Sequence, residues 1–189
     1  MKEFNLESFK EAVLLICRLK KENPYRRDAW KCSDVLAKKC EAALEQIAEE
    51  VAALFRDVSI QGYQGRVGRG MGFYPKCPGI MFLNEREQPR NGIYPVLTFF
   101  ENGEGFYIAC EESRACPQVG FSKLARQSQY LSQGDGWDEH VGAATRFDRM
   151  EIERISEQGL LDAFKKAILL HSECRHGTMR TKMTSRSLS

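Results

Sequence analysis

The chain has 189 residues, enough for one domain of ordinary size with or without a tail. Apolar residues make up 42% and charged residues 29%, which supports a sizeable buried core and excludes wholesale disorder. Lys and Arg total 28 against 26 for Asp and Glu, leaving a net charge of +2. That balance excludes a polybasic or polyacidic protein, so any contact with nucleic acid must come from local clustering of charge.

Taken in chain order, the first element is a helix: Leu6, Phe9, Val13, Ile16 and Leu19 recur at three- and four-residue steps with Lys and Glu between them. Its apolar run Ala12 to Cys17 is flanked by charges and is too short to span a membrane. No signal peptide precedes it, so a soluble, cytoplasmic protein is expected. Asn23-Pro24 and Arg26-Arg27-Asp28 break the pattern. Ser33 or Asp34 then caps a second helix, in which Leu36, Cys40, Leu44, Ile47, Val51 and Leu54 share a face. That stripe suits packing onto the protein's own sheet, and its length also permits a coiled-coil partner.

From Val58 the composition turns to glycine and β-forming residues. Gly79 to Leu83, Ile93 to Phe100 and Phe106 to Cys110 are short, branched and aromatic, and read as an antiparallel three-stranded meander. Asn84 to Gly92 is a polar hairpin loop, and Asn102-Gly103 signals a tight two-residue turn. Pro95 cannot donate to a ladder, so its strand is expected to carry a bulge or lie partly at an edge. Phe121 to Tyr130 reads as a short helix, Gln133 to Trp137 as a loop and Glu157 to His171 as a final helix. His171 on that last stripe reads as a satisfied core residue without chemistry. Arg175, Arg180, Lys182 and Arg186, with no acid and many Ser and Thr, suggest that residues 175–189 are a tail or linker after a domain spanning 1–174. The fold class is therefore α+β, an antiparallel sheet flanked by helices.

The catalytic inventory is thin. The seven cysteines include no CxxC pair, and His171, Cys174 and His176 offer three irregularly spaced donors without a fourth. No metal and no cofactor are expected. There is no GxxxxGK[ST], HExxH or GxSxG motif either, so the chain does not read as an enzyme. Gly65, Gly68, Gly70 and Gly72 resemble a dinucleotide loop, but Phe73-Tyr74-Pro75-Lys76-Cys77-Pro78 follows and cannot open the helix such a loop needs.

The same stretch carries a different signal. Between Ser59 and Asn84 lie Arg66, Arg69 and Lys76 and no acid, interleaved with Tyr63, Phe73 and Tyr74 and with glycines that permit close approach. Basic groups neutralise phosphates, and aromatic or flexible apolar groups stack on bases or wedge between them. A solvated Gly-rich loop has the same composition.

The block Gly72-Phe73-Tyr74-Pro75-Lys76-Cys77-Pro78, the strand Ile80-Met81-Phe82-Leu83 and the block Asn91-Gly92-Ile93-Tyr94-Pro95-Val96 resemble the N-terminal DNA-binding domain of the McrB family. These are the specificity subunits of bacterial modification-dependent (type IV) restriction systems. The similarity runs ungapped from Gly70 to Phe100 and more loosely through the last helix. It implies a domain that recognises double-stranded DNA by rotating a methylated, hydroxymethylated or bulkier cytosine into a pocket. It also implies that an AAA+ GTPase module and a McrC-type nuclease partner perform the cleavage, with no membrane role.

Carried over residue by residue, Tyr94 matches a pocket tyrosine, and Thr98 stands where the family has an apolar pocket residue. Met71 falls at the wedge position, where the family has tyrosine, and Phe73 or Tyr74 can take that role. Gly79 stands where a tryptophan follows the proline, which removes a stacking surface worth about 1–3 kcal/mol. The gap admits a bulkier base, or Trp137 fills it, or base reading has been lost. The strand period of two places Tyr94, Val96 and Thr98 on one face. Arg66, Arg69, Lys76 and Arg90 are the expected phosphate contacts. The alternative is a non-catalytic adaptor domain of a phage-defence system, recruiting a partner through the second helix.

Overall fold

The computed structural model describes residues 2–24, 31, 33–68, 75–85, 87–88, 92–112 and 141–186. Among these the chain forms four helices and a five-stranded antiparallel sheet, the α+β architecture expected from the sequence. The elements in order are α1 (Leu6–Glu22), α2 (Val35–Asp57), β1 (Gln64–Val67), β2 (Gly79–Leu83), β3 (Ile93–Phe99), β4 (Gly105–Glu112), β5 (Val141–Asp148), α3 (Arg149–Arg154) and α4 (Glu157–Arg186). The strands run as a meander, β1-β2-β3-β4-β5. The predicted central three strands are present and one strand is added at each edge.

Both initial helices start and bury as their patterns dictate. Asn5 caps α1, its side chain accepting from the Ser8 N–H, and Phe9, Val13, Ile16 and Leu19 are buried along one stripe. Asp34 is the N-cap residue of α2, but its carboxylate accepts from the Lys31 N–H rather than from the helix. The start of α1 lies beside the last third of α2, tied there by Glu50. This fully buried carboxylate accepts from Asn5 N–H (2.9 Å), Ser8 Oγ (2.7 Å) and Lys2 Nζ (2.7 Å). The apolar stripe of α2 is consumed inside the domain, against α1 and the sheet.

The helices cover one face of the sheet, termed the inner face here. Phe55 of α2, Phe82 of β2 and Phe164 of α4 meet edge to face or tilted, with ring centroids 5.1–5.6 Å apart. Each such pair adds about 0.5–1.5 kcal/mol beyond the area it buries. Phe99, Phe106 and Phe147 extend the same layer towards β5. Core burial of this kind, with all helices on one side, leaves the opposite sheet face to be explained separately.

Two local expectations need correction, and a third, at Pro95, is met. Asn102-Gly103 does not make a two-residue turn. Phe100 N–H donates to Gly105 O (3.0 Å) and Gly103 N–H to Phe100 O (3.2 Å), so Glu101 to Glu104 form the loop. Only Gly103 takes a positive φ (71°), while Asn102 Oδ1 accepts from Glu104 N–H. Gly103 is required by packing too, because a Cβ there would lie 2.5 Å from Cys17 O on α1. Pro95 lies in the central strand but at an end of it that is paired on one side only, so the strand is partly at an edge there, as expected. It pairs with Cys110 of β4, and the β2–β3 ladder stops one residue earlier, at Met81–Val96, so no bond is asked of its nitrogen. The bulge is found instead between β4 and β5, at Ile108/Cys110, where Ala143 takes φ 54°. Finally, the last helix does not end at His171. It continues to Arg186, and the basic segment contains no proline to stop it; Gly177 costs only about 1 kcal/mol. The segments Phe121 to Tyr130 and Gln133 to Trp137 lie outside the described residues.

Candidate nucleic-acid interface

The outer face of the sheet is built by the alternate residues of each strand. Tyr94, Val96 and Thr98 of β3 share it, as the strand period requires. Strand register sets two further rows across them: Arg66–Met81–Val96–Ala109 and Gly79–Thr98–Tyr107–Arg146. Leu83, Tyr94, Val96 and Ala109 form a second, small apolar cluster, with Met81, Tyr107, Val141 and Ala144 packed around it. Tyr94 is only 7% exposed and Ala109 is fully buried, so the middle of this face is no bare polar surface.

Gly79 and Thr98 are direct partners. A Cβ at Gly79 would stand 2.6 Å from Leu97 O and 2.9 Å from Thr98 Oγ1, so the glycine is what lets β2 approach β3 at this pair. The position opposite Gly79 is therefore filled by the Thr98 side chain and strand backbone. The approach is braced from below: Gly68 N–H donates to Gly79 O (3.0 Å) and Phe99 N–H to Pro78 O (2.9 Å). Just upstream, the buried ammonium of Lys20 donates to Lys76 O (2.7 Å), fastening the Pro75–Pro78 segment to α1. Burial pushes the pKa of Lys20 down.

Thr98 leads into a polar chain that the sequence reading missed. It stands directly opposite Tyr107, and Tyr107 Oη donates to Glu111 Oε1 at 2.5 Å. Burial raises the Tyr107 pKa, and the Glu111 charge and hydrogen bond add to the rise, so the phenol stays protonated and remains a donor. Glu111 in turn faces Tyr94 across the ladder. A four-residue spacing on a strand of period two was a usable signal for Tyr107 and Glu111; their pairing to Thr98 and Tyr94 was not visible without the register.

The candidate phosphate contacts divide. Arg66 is exposed on edge strand β1. Lys76 pairs with Glu101 at 2.7 Å, both half in solvent, so part of its charge is already answered. Arg146 is an exposed cation not foreseen from sequence; its guanidinium lies 4.5 Å from the Phe100 ring centroid, and Phe100 in turn packs on Tyr107. Met71, Phe73, Tyr74, Arg69, Arg90 and Trp137 lie outside the described residues. The structure thus brings together Gly79, Thr98 and Tyr94, with Arg66 on the same face.

His171, read as a satisfied core residue, is fully buried and bonded at both nitrogens, Nδ1 to Tyr63 Oη (2.7 Å) and Nε2 to Glu87 Oε1 (2.9 Å). Among the described residues no helix is long and apolar enough to cross a membrane.

No protein-family model matches the chain, and the search of curated proteins returned no match. What the fold and the site define is a class by geometry: a helix-backed antiparallel meander whose outer face carries a polar tyrosine–glutamate pair with exposed arginines beside it.

Proposed function

We propose that this domain binds duplex DNA and reads a modified cytosine that is rotated out of the stack onto the outer face of the sheet. Thr98, Tyr107 and Glu111 would meet the base, Tyr94 would wall the site from within the small apolar cluster, and Arg66 and Arg146 would hold phosphates. The observation that carries the reading is the row Gly79–Thr98–Tyr107–Arg146, which places a close-packed glycine, two hydrogen-bonding side chains and an exposed cation in one line. A base edge needs directional polar partners, and its backbone needs cations; this face supplies both. The resemblance of the Gly72–Pro78 and Asn91–Val96 blocks to the McrB family supports the same reading. Cleavage would then fall to an AAA+ GTPase module and a nuclease partner outside the residues described here.

The adaptor alternative depends on a free apolar stripe along α2. That stripe is buried against α1 and the sheet, and the large apolar side chains exposed among the described residues, Val35, Met150 and Leu169, lie scattered. Fluorescence anisotropy with matched duplexes bearing one cytosine, 5-methylcytosine or 5-hydroxymethylcytosine tests the proposal. A modified duplex is expected to bind more tightly than the unmodified one. Arg66→Ala is expected to weaken binding to every duplex and to lower the slope of log affinity against log salt by about 1. Equal, weak binding to all three duplexes would remove modified-base reading.

A further inference from the structure

We infer that Phe100 is a positioning residue, which holds the Arg146 guanidinium over the outer face of the sheet in the place where it meets a phosphate. The inference rests on the duplex binding proposed above, and it does not depend on which base is read. An exposed arginine is a weak phosphate contact unless something fixes it. Its long side chain samples many rotamers in solvent, and immobilising one such chain on binding weakens affinity about two- to tenfold. A side chain already held in place avoids that loss.

Arg146 is exposed on β5, and among the described residues it makes no ion pair and no hydrogen bond. It is seated nonetheless, because its guanidinium carbon lies 4.5 Å from the Phe100 ring centroid. Phe100 is half-buried and is itself fixed twice. Its N–H donates to Gly105 O (3.0 Å) at the mouth of the β3–β4 loop, and its ring packs on Tyr107 with centroids 5.7 Å apart. Tyr107 is tied in turn through its phenol to Glu111, and register sets Arg146 directly opposite Tyr107. The ring of Phe100 therefore touches both members of that cross-strand pair. A contact made through the ring face consumes none of the guanidinium N–H donors, so the fork remains available for two phosphate oxygens. Arg66, on edge strand β1, has no aromatic contact of this kind among the described residues, and Lys76 already pairs with Glu101. Of these three cations, Arg146 is the one with a ring beneath it.

The test is a double-variant cycle on the full chain, with affinity for unmodified and 5-methylcytosine duplexes read by fluorescence anisotropy across a salt series. Phe100→Leu keeps an apolar side chain and removes the ring face, and it is expected to weaken binding to both duplexes about two- to tenfold. Arg146→Ala is expected to lower the slope of log affinity against log salt by about 1, and on that background Phe100→Leu should leave affinity unchanged. On an Arg66→Ala background Phe100→Leu should keep its full effect. Phe100→Tyr preserves the ring and is expected to bind as the parent does. Circular dichroism melting reports whether each variant is folded, and Phe100→Met, nearer to phenylalanine in volume, is read in the same way if the leucine variant melts early. A folded Phe100→Leu that binds like the parent, or that costs as much without Arg146 as with it, overturns this inference and leaves DNA binding standing. Equal binding of modified and unmodified duplexes with the Phe100–Arg146 coupling intact removes base reading and supports this inference. A parent protein that binds no duplex overturns both.

Discussion

Replacing His171 with alanine is the sharpest test of how the candidate interface is held to the body of the domain. With its proton on Nε2, the ring donates to Glu87 Oε1 (2.9 Å) and accepts from the Tyr63 hydroxyl at Nδ1 (2.7 Å). Glu87 Oε2 accepts from Asn84 N–H (2.8 Å), so α4, the entry to β1 and the β2–β3 connection meet at this one ring. The bond to the Glu87 carboxylate is charge-assisted and contributes about 1.5–3 kcal/mol, and the phenol bond adds about 1 kcal/mol. The edge-on packing of the ring on Tyr63, at 5.6 Å between centroids, adds about 0.5–1 kcal/mol. Glu87 retains 14% of its side-chain exposure and can recover some hydration, which keeps the expected cost near 3–4 kcal/mol rather than higher. Urea unfolding followed by circular dichroism measures it, with Tyr63→Phe expected to cost about 1 kcal/mol. In the double variant the two costs should fall short of additivity by about that amount, since both remove one bond. A cost for His171→Ala below about 1 kcal/mol would refute the reasoning, because it would mean that neither buried polar partner had depended on the ring.

Other consequences follow from single contacts. Ser59 occupies the left-handed position after α2 (φ 59°), with Ile60 N–H bonded to Phe55 O and Ser59 N–H to Arg56 O, an arrangement in which glycine is favoured. Ser59→Gly is therefore expected to stabilise the protein by about 0.5–1 kcal/mol in the same unfolding assay, and a loss of stability would count against the cap. Gly79→Ala places a methyl group 2.6 Å from Leu97 O and should cost about 1–3 kcal/mol through displacement of β2; an unchanged midpoint would show that β2 can shift freely. Glu50 is expected to link stability to acid. Burial works to raise its pKa, but hydrogen bonds from Lys2, Ser8 and the Asn5 N–H, with the Lys2 charge, hold it below the ordinary value of 4.5. Its contribution is thus present above that value and is lost as pH falls through the depressed one. Unfolding midpoints of the parent and Glu50→Gln should differ at neutral pH and converge in acid; a gap that persists unchanged would contradict the charged role.

The helices were legible because their evidence is local. Leu6 to Leu19 and Leu36 to Leu54 repeat at helical spacing, and nothing distant is needed to see which face is buried. The central strands were legible for the same reason, being short runs of branched and aromatic residues. The edge strands were not. Gln64-Gly65-Arg66-Val67 has little apolar character, because an edge strand with three exposed residues has no need of it. Val141 to Asp148 mixes glycine and alanine around a bulge, which breaks the alternation a reader looks for. At the site, period two was enough to group Tyr94 with Thr98. Their neighbours across β4 depend on register, which the turn fixes, and that turn was misread as two residues long. The partners of His171 lie 84 and 108 residues away, beyond any local pattern.

Under the proposed function, Gly79 would set what kind of reader this face is. A tryptophan at that position, as in the McrB family pattern, would offer a stacking wall; here its Cβ alone would collide with the backbone of β3. The glycine is thus coupled to the close seating of Thr98, which pairs across the sheet with Tyr107, whose phenol donates to Glu111. Under that proposal the exchange would give up about 1–3 kcal/mol of sequence-tolerant stacking and keep a directional polar contact. Extruding a base costs a few kcal/mol, so with less stacking to offset it more of the affinity must come from phosphates. Such a protein should discriminate among bases through hydrogen bonds while depending steeply on salt for binding at all. The exposed Arg66 and Arg146 at either side of the outer face are the groups on which that dependence would fall.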